Sequence, residues 1–303
     1  MATALNRVVV IGVGLIGGSF ALALKQRGTV GEVVGVGRSA TVLARAAALG
    51  IIDRAAASLE AAVAGADLIL IATPVAQTAE ILAALAPLLQ PGMVVTDAGS
   101  TKCDVVAAAR IALGSKIGQF VPGHPIAGSE ANGPEAALAG LYVGKKVVLT
   151  PLPENARETL EKVAQAWQQC GAAVHCLVPD QHDQIFAAVS HLPHLLAFAL
   201  VDQVDHAADA GLLFEYAASG FRDFTRIAGS SPEMWRDIAL ANRTALLAQL
   251  ATYSTQLAKL TAMLAAGDGD GLQAVFANAR RARHAWQATI ETAPLQNRRT
   301  GDT

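Results

Sequence analysis

This chain of 303 residues has few cysteines, a small net charge and no long apolar run. No run approaches the roughly 20 consecutive apolar residues of a membrane helix, so the sequence predicts no membrane span. The formal net charge is −2, which gives no reason to expect binding to nucleic acid or to an anionic membrane. The three cysteines lack a metal-ligand spacing and are typical of a reducing compartment. We therefore expect a cytoplasmic protein with no bound metal.

The first part of the chain alternates short β-branched runs with helical stretches rich in alanine and leucine. The first run is at residues 7–11 and the last at residues 173–177. Such alternation predicts a parallel, doubly wound sheet with helices on both faces. We expect a Rossmann-type α/β domain, which binds a dinucleotide, over residues 1–178.

After residue 178 the strand-like runs disappear. Long apolar helical stretches follow at residues 181–209, 243–266 and 271–290. Helices this apolar must bury one face, either within a self-contained helical domain or against a partner subunit. We favour an all-helical dimerisation domain over residues 179–303, and hence a homodimer.

A glycine motif directly follows the first predicted strand. Residues 8–19 read VVVIGVGLIGGS, which is G-x-G-x-x-G at the start of a helix. Gly12 permits the tight turn, and Gly14 lets the backbone approach a pyrophosphate. Gly17 lets the helix pack closely on the strand, while Leu15 and Ile16 lie between the last two glycines. These five residues are expected to bind the dinucleotide.

The end of the second strand bears on which dinucleotide binds. Gly37 stands where NAD sites usually place an acid, and Arg38 and Ser39 can pair with a 2′-phosphate. Alternatively, Arg38 is solvated and Ser39 only caps the next helix. We expect NADP as the preferred cofactor and NAD as the alternative. Thr73 and Pro74, just past the third strand, are expected to lie along the cofactor.

The segment GHPIAGSE, residues 123–130, contains a candidate general base. His124 follows a predicted strand and precedes Pro125, which favours an extended backbone and a fixed direction for the imidazole. A neutral imidazole can take a proton from an alcohol as its hydride leaves. Ser100, in DAGSTK, can bond to that histidine or to the same hydroxyl. The competing interpretation is a histidine that only stabilises a turn.

Two polar clusters interrupt the apolar second half. In SHLPH, Ser190 and His194 share a helix face, and Pro193 can kink the helix. Either a second helix or a substrate can satisfy this buried pair. In FRDFTRIA, Arg226 is suited to bind a carboxylate, unless it pairs with a nearby aspartate.

Together these motifs resemble the prephenate/arogenate dehydrogenase family. GVGLIGGS, DAGSTK, GHPIAGSE, SHLPH and FRDFTRIA, followed by a tryptophan, occur in that order between residues 7 and 245. The resemblance implies oxidative decarboxylation of prephenate or arogenate, to 4-hydroxyphenylpyruvate or tyrosine, with NAD(P)+ in tyrosine biosynthesis. It also implies a helical dimerisation domain.

The resemblance further implies roles for individual residues. His124 would take the proton of the ring C4 hydroxyl, Ser100 would orient that histidine and the hydroxyl, and Arg226 would bind a substrate carboxylate. The other substrate positions that it implies are Ser190, His194, Glu130, Asp223 and Trp235.

Two alternatives stay open at the level of sequence. One is a two-domain dehydrogenase of the 3-hydroxyacid type, which generally uses a catalytic lysine in its helical half. Lys259 lies far along the chain from the polar clusters, which counts against that class. The other is a non-catalytic NADP-binding sensor, which has no need of Ser100, His124 and Arg226 together.

Overall fold

A computed structural model describes residues 5–128 and 131–291 of the chain. Within these residues the strands are β1 (Leu5–Ile11), β2 (Val30–Val36), β3 (Arg54–Ala55), β4 (Leu68–Ile71), β5 (Val94–Asp97), β6 (Phe120–Val121), β7 (Gly123–Pro125), β8 (Lys146–Leu149) and β9 (Ala173–Cys176). The first six α-helices are α1 (Leu15–Gln26), α2 (Ala40–Ala48), α3 (Leu59–Val63), α4 (Thr78–Leu85), α5 (Cys103–Leu113) and α6 (Arg157–Gln169). The others are α7 (Pro179–Phe186), α8 (Leu192–Asp205), α9 (Ala210–Glu215), α10 (Ser219–Thr225), α11 (Pro232–Ala241), α12 (Arg243–Ala266) and α13 (Gly269–Glu291).

The main sheet is parallel and has the strand order β3-β2-β1-β4-β5-β6. Its central strands are buried on both faces, since alternate residues of β1 belong to two different cores. Val8 and Val10 pack in the core that contains Trp167 of α6, whereas Val9 and Ile11 pack in the other. The predicted doubly wound α/β fold is confirmed.

The last strands depart from the prediction of a single parallel sheet. β7, β8 and β9 form a second sheet, in which β7 runs antiparallel to β8. Pro122 separates β6 from β7 and has no N–H to donate to the main ladder. The chain therefore leaves the main sheet after Val121, and Thr150 donates its N–H to the carbonyl of Pro122 at 2.9 Å.

A buried ion pair holds the end of β5 to the loop that follows it. Asp97 Oδ2 accepts from Lys102 Nζ at 2.5 Å and from the N–H of Gly99 at 2.8 Å. Its other oxygen accepts from the N–H of Gly123 at 3.0 Å. Both side chains of the ion pair are buried, with 0% and 1% exposed for Lys102 and Asp97. Asp97 thereby ties β7 and the DAGSTK loop to the edge of the sheet.

The helix predicted at residues 181–209 is interrupted. A π-helical turn, Ala187–His191, separates α7 from α8 just before Pro193. Proline removes a backbone donor from the helix, and a π turn is one way to accommodate that loss. By length and composition, Pro179–Asp205 could cross a membrane. Its buried His182 and Asp183 instead bond to residues of the α/β part, which is typical of a core helix.

Residue contacts divide the chain into two compact units, Met1–Leu246 and Leu247–Thr303. The boundary expected at residue 178 was based on composition, and it coincides with the end of β9 rather than with this division. A domain boundary at residue 178 stays a prediction.

The second unit contains the rest of α12, whose predicted bounds are confirmed, and α13. None of its side chains between residues 247 and 289 is buried. Large apolar side chains are among the exposed ones: Leu257, Leu264, Phe276 and Trp286. An apolar surface of this kind is typical of one that another chain covers.

Removal of the buried cation should be costly. Lys102→Met keeps the length of the side chain but leaves the Asp97 carboxylate buried without its counter-ion. We expect the free energy of unfolding to fall by about 3–5 kcal/mol, as for other broken buried pairs. The measurement is urea unfolding at fixed protein concentration.

Arg157→Met is the matched control, since it breaks the exposed pair between Arg157 and Glu161. Its loss should be about 0.3–0.5 kcal/mol. Equal losses in the two variants would contradict a structural role for the buried pair.

Candidate active site

The turn between β1 and α1 has the geometry of a dinucleotide cradle. Gly12 has a φ of 96°, and a Cβ added there would lie 2.6 Å from the carbonyl oxygen of Ala72. Only glycine fits that conformation and that space. A Cβ at Gly17 would lie 2.7 Å from Val10 Cγ1, so this glycine lets α1 pack on β1. Ile16 is half-buried in the same helical turn.

Space and hydrogen-bond donors are both present where a pyrophosphate would lie. Gly14 is the N-cap of α1, and no heavy atom lies within 4 Å of a Cβ built on it. No side chain caps the helix, which begins at Leu15, so its first N–H groups are available to an anion. Thr73 Oγ1 is buried without a hydrogen-bond partner among the described residues, and Pro74 beside it is exposed. These features fit a bound dinucleotide.

Gly37, Arg38 and Ser39 are exposed directly after β2. A Cβ at Gly37 would meet only Leu43, at 3.6 Å, so the position has room for an acid that this sequence lacks. Ser39 accepts from the N–H of Val42 at 3.3 Å and caps α2, as the alternative interpretation held. Capping uses a lone pair of the hydroxyl, and its hydrogen can still be donated to a phosphate.

His124 lies in the middle of strand β7 rather than in a loop after a strand. It pairs with Val148 of β8, and the chain enters β7 because Asp97 and Pro122 end the main sheet there. The extended backbone expected before Pro125 is confirmed. The side chain is only partly buried, so it can be reached from outside the core.

A chain of hydrogen bonds extends from His124 into α7. His124 Nδ1 lies 2.9 Å from His182 Nε2, and His182 Nδ1 lies 2.8 Å from Asp183 Oδ1. The Asp183 carboxylate also accepts from the N–H groups of Lys102 and Cys103, both at 2.8 Å. One carboxylate thus connects the histidines to the start of α5.

The ionisation of these groups follows from their burial. Desolvation, reinforced by His182, Lys102 and His191, holds the pKa of His124 well below its usual value. Desolvation also lowers the pKa of His182, although Asp183 opposes the shift. The pKa of Asp183 is lowered despite burial, because His182 and backbone N–H groups bond to its charged form. At neutral pH the imidazoles are neutral and the carboxylate is charged.

His182 and Asp183 were not identified from the sequence. They follow Pro179 in an ordinary helix start, PDQHD, which has the pattern of a solvated first turn. Their importance depends on the contact between α7 and the DAGSTK loop, which is separated from them by about 80 residues. Nothing in local spacing indicates such a contact.

Ser100 lies in the loop after β5 and is partly exposed. His124 Nδ1 bonds to His182, so a bond between Ser100 and this histidine would have to use Nε2. Both expected partners of Ser100, the histidine and a substrate hydroxyl, stay predictions. Asp183 accepts from the N–H of Lys102, at the end of this loop, and from the N–H of Cys103, the first residue of α5.

Two nitrogens of the SHLPH cluster bond to its own backbone and to the residue after α11. His194 Nδ1 lies 2.9 Å from the carbonyl oxygen of Ser190, one turn earlier. The His194 imidazole stacks on Trp235 of α11, with ring centroids 3.5 Å apart and planes at 19°. Asn242, which follows α11, lies 3.1 Å from His191 Nδ1 and donates to the carbonyl of Asp183 at 2.8 Å. The sequence did not predict this role of Asn242.

An apolar cavity of about 230 Å³ adjoins this cluster. Its lining residues are His191, Leu195, Phe198, Pro232, Trp235, Arg236, Ala239 and Leu246. His191 Nε2 and Trp235 Nε1 are buried and have no hydrogen-bond partner among the described residues. The cavity is somewhat smaller than most small-molecule sites, which enclose about 300–1,000 Å³. Apolar walls with a few unpaired nitrogens suit an organic ligand with polar substituents.

Asp223 lies in α10, and Arg226 directly follows this helix. Arg226 is exposed, and its charge contributes to lowering the pKa of His194, after desolvation. Asp223 is exposed, and its Oδ1 lies 3.5 Å from Arg222 Nε. Glu130 lies outside the described residues. No cluster of three or more metal-ligating side chains occurs in residues 5–128 and 131–291.

Two family models match the chain in sequence order. The one described as prephenate dehydrogenase, nucleotide-binding domain, matches residues 20–176. The one described as prephenate dehydrogenase, dimerization domain, matches residues 178–278.

Individual relatives are similar over nearly the full chain. A cyclohexadienyl dehydrogenase of Zymomonas mobilis is 35% identical over 294 residues, covering 96% of this chain and 100% of that protein. The structure of prephenate dehydrogenase from A. aeolicus, in complex with hydroxyphenyl propionate and NAD+, is 36% identical. It has a TM-score of 0.88 and covers 94% of this chain and 99% of that one. Synechocystis arogenate dehydrogenase is 30% identical with a TM-score of 0.78, covering 92% and 99%.

Proposed function

Because the chain belongs to the prephenate dehydrogenase family, we propose that it oxidises and decarboxylates prephenate, arogenate or both. The products would be 4-hydroxyphenylpyruvate and tyrosine, in tyrosine biosynthesis. The observation that carries the proposal is a neutral, partly exposed His124 beside the carboxyl edge of the sheet that bears the dinucleotide cradle.

The reaction needs hydride geometry, one base and a binding site for a carboxylate. A nicotinamide cofactor held at the turn of Gly12, Gly14 and Gly17 would supply the acceptor for the hydride of C4 of the cyclohexadienol. His124 takes the proton of the C4 hydroxyl as that hydride leaves. The bond from the ring to its carboxylate then breaks, and its electrons make the ring aromatic as CO2 departs. His124 can return its proton to the phenolate, which restores the neutral base.

The helical residues serve substrate binding in this proposal. Arg226 binds a substrate carboxylate, for which a planar guanidinium is suited. Ser190, His194 and Trp235 border the substrate. The supporting observation is that Trp235 lines the apolar cavity and that His194 stacks on Trp235. Ser100 orients the C4 hydroxyl. We assign Asp223 and Glu130 supporting positions at the substrate site.

We propose NADP as the preferred cofactor. Gly37 leaves no carboxylate to repel a 2′-phosphate, and the exposed Arg38 is available to pair with one. Thr73 and Pro74 border the cofactor at the carboxyl edge of the sheet.

We also propose a cytoplasmic homodimer, supported by the match to a dimerization domain and by the exposed apolar side chains of α12 and α13.

The test of the reaction is the absorbance of reduced cofactor after addition of prephenate or arogenate. We expect turnover with at least one of them, and kcat/KM with each substrate and each cofactor will define the preference. His124→Asn should lose about 10²–10⁴-fold in kcat, the usual contribution of a general base, while cofactor affinity is unchanged.

If neither substrate yields reduced cofactor at high enzyme concentration, the proposal is wrong. That result would favour a non-catalytic dinucleotide-binding protein. Normal turnover by His124→Asn would leave the reaction but remove the base.

Cofactor preference should respond to position 37. Gly37→Asp places a carboxylate where it can accept from a ribose 2′-hydroxyl and repel a 2′-phosphate. The space around Gly37 accommodates a side chain, so the fold should not change. We expect the ratio of kcat/KM for NADP over NAD to fall by about tenfold or more, equivalent to about 1.4 kcal/mol. The matched control is Ala57→Asp, which adds the same charge at another exposed position. Gly50→Asp is unsuitable, because Gly50 has a φ of 70° and an aspartate there would be strained.

An unchanged ratio in Gly37→Asp would show that the loop after β2 does not select the cofactor. A similar fall in Ala57→Asp would attribute the effect to net charge instead.

A further inference from the structure

We propose that His182, anchored by Asp183, is a positioning residue that fixes the tautomer of His124 and leaves His124 Nε2 free to act as the base. The inference rests on the proposed function, because it concerns the base of that reaction. His182 and Asp183 lie outside the sequence motifs, and the hydrogen bond between His182 and His124 would have this function.

The direction of the hydrogen bonds follows from Asp183. Its carboxylate can only accept, and backbone N–H groups of Lys102 and Cys103 hold both of its oxygens in place at 2.8 Å. His182 Nδ1 lies 2.8 Å from Asp183 Oδ1, so Nδ1 must carry the proton. A neutral imidazole has one N–H, and His182 Nε2 therefore has a lone pair.

The same reasoning then fixes His124. Its Nδ1 lies 2.9 Å from His182 Nε2. Because that nitrogen has a lone pair and no proton, His124 must donate from Nδ1. The lone pair of His124 is then on Nε2, the nitrogen that does not contact His182. In water a neutral histidine prefers the opposite tautomer, with its proton on Nε2, in which that nitrogen cannot accept a proton. Without His182, most His124 side chains would have the unproductive tautomer.

Packing holds the two imidazoles in this arrangement. Phe186, one turn after His182 in α7, contacts both rings, with centroids 4.8 Å from His124 and 4.5 Å from His182. The two imidazoles meet edge to face, with centroids 5.1 Å apart. His182 is fully buried, so water does not compete for its nitrogens.

The surrounding charges favour neutral imidazoles before the reaction. Lys102 is the nearby cation and is itself paired with Asp97. Desolvation lowers the pKa of both histidines, whereas Asp183 is held in its charged form. When His124 takes the substrate proton, it becomes a cation that still donates from Nδ1. The negative charge of Asp183, two hydrogen bonds away, then stabilises that cation.

Two substitutions of His182 separate positioning from packing. Asparagine reaches only as far as the former Nδ1, so His182→Asn can still bond to Asp183 but offers His124 no acceptor. Glutamine reaches to the former Nε2, so His182→Gln can place its amide oxygen against His124 Nδ1. We expect His182→Asn to lose about 10–100-fold in kcat, a typical effect of an outer-shell partner, with KM and cofactor Kd unchanged.

His182→Gln should recover most of that loss. The matched control is His206→Asn, which changes an exposed histidine bonded to the carbonyl of Asp202 and should leave kcat unchanged. Equal losses in the asparagine and glutamine variants, or a loss confined to KM, would overturn the positioning role.

A second measurement does not depend on activity. Protein labelled at the ring nitrogens of histidine is studied by long-range proton–nitrogen correlation NMR, and the His124 signals are assigned by their absence in His124→Asn. The wild type should show the proton of His124 on Nδ1, and His182→Asn should move it to Nε2. A wild-type proton on Nε2 would overturn the inference even if the enzyme is active. Absence of dehydrogenase activity, with the predicted tautomer present, would count against the proposed function alone.

Discussion

The carboxylate of Asp183 is the group on which the rest of the site depends. It bonds to the backbone of the DAGSTK loop on one side and to His182 on the other, and through His182 to His124. A charged group this buried is stable only when all its partners are in place. The contact between α7 and the main sheet is therefore also the contact that orients the base. Loss of Asp183 would free the loop and the histidines together.

A second carboxylate, Asp97, has the corresponding role within the α/β part. It neutralises buried Lys102 and holds the N–H of Gly123 at the start of β7. Lys102 and Cys103 lie between the two carboxylates, so the loop that carries Ser100 is fixed at both ends. Such rigidity matches the needs of hydride transfer, in which small errors of position are expensive. The histidine base and the loop then keep a constant geometry while substrate and cofactor exchange.

Local patterns in the sequence decide part of this structure. Apolar strands and the glycine spacing predicted the main sheet and the turn at Gly12, because both depend on neighbours in sequence. Contacts between distant segments have no such local pattern. Strand β7 and its second sheet follow from Pro122 and Asp97 together, and the partnership of His124 with His182 needs α7 to dock on the sheet. No local pattern indicated that a buried histidine of another element bonds to His124 Nδ1.

The pH dependence of kcat/KM tests most directly whether a neutral His124 acts as the base. Because burial and the adjacent His182 lower the pKa of His124, this base should keep its lone pair down to a pH below about 6.5, the usual value for histidine. We expect kcat/KM to stay level from neutral pH down through about 6.5 and to fall only at lower pH, as one group is protonated. An acid limb that begins above this value would contradict it, because the base would then be a group that the structure does not desolvate.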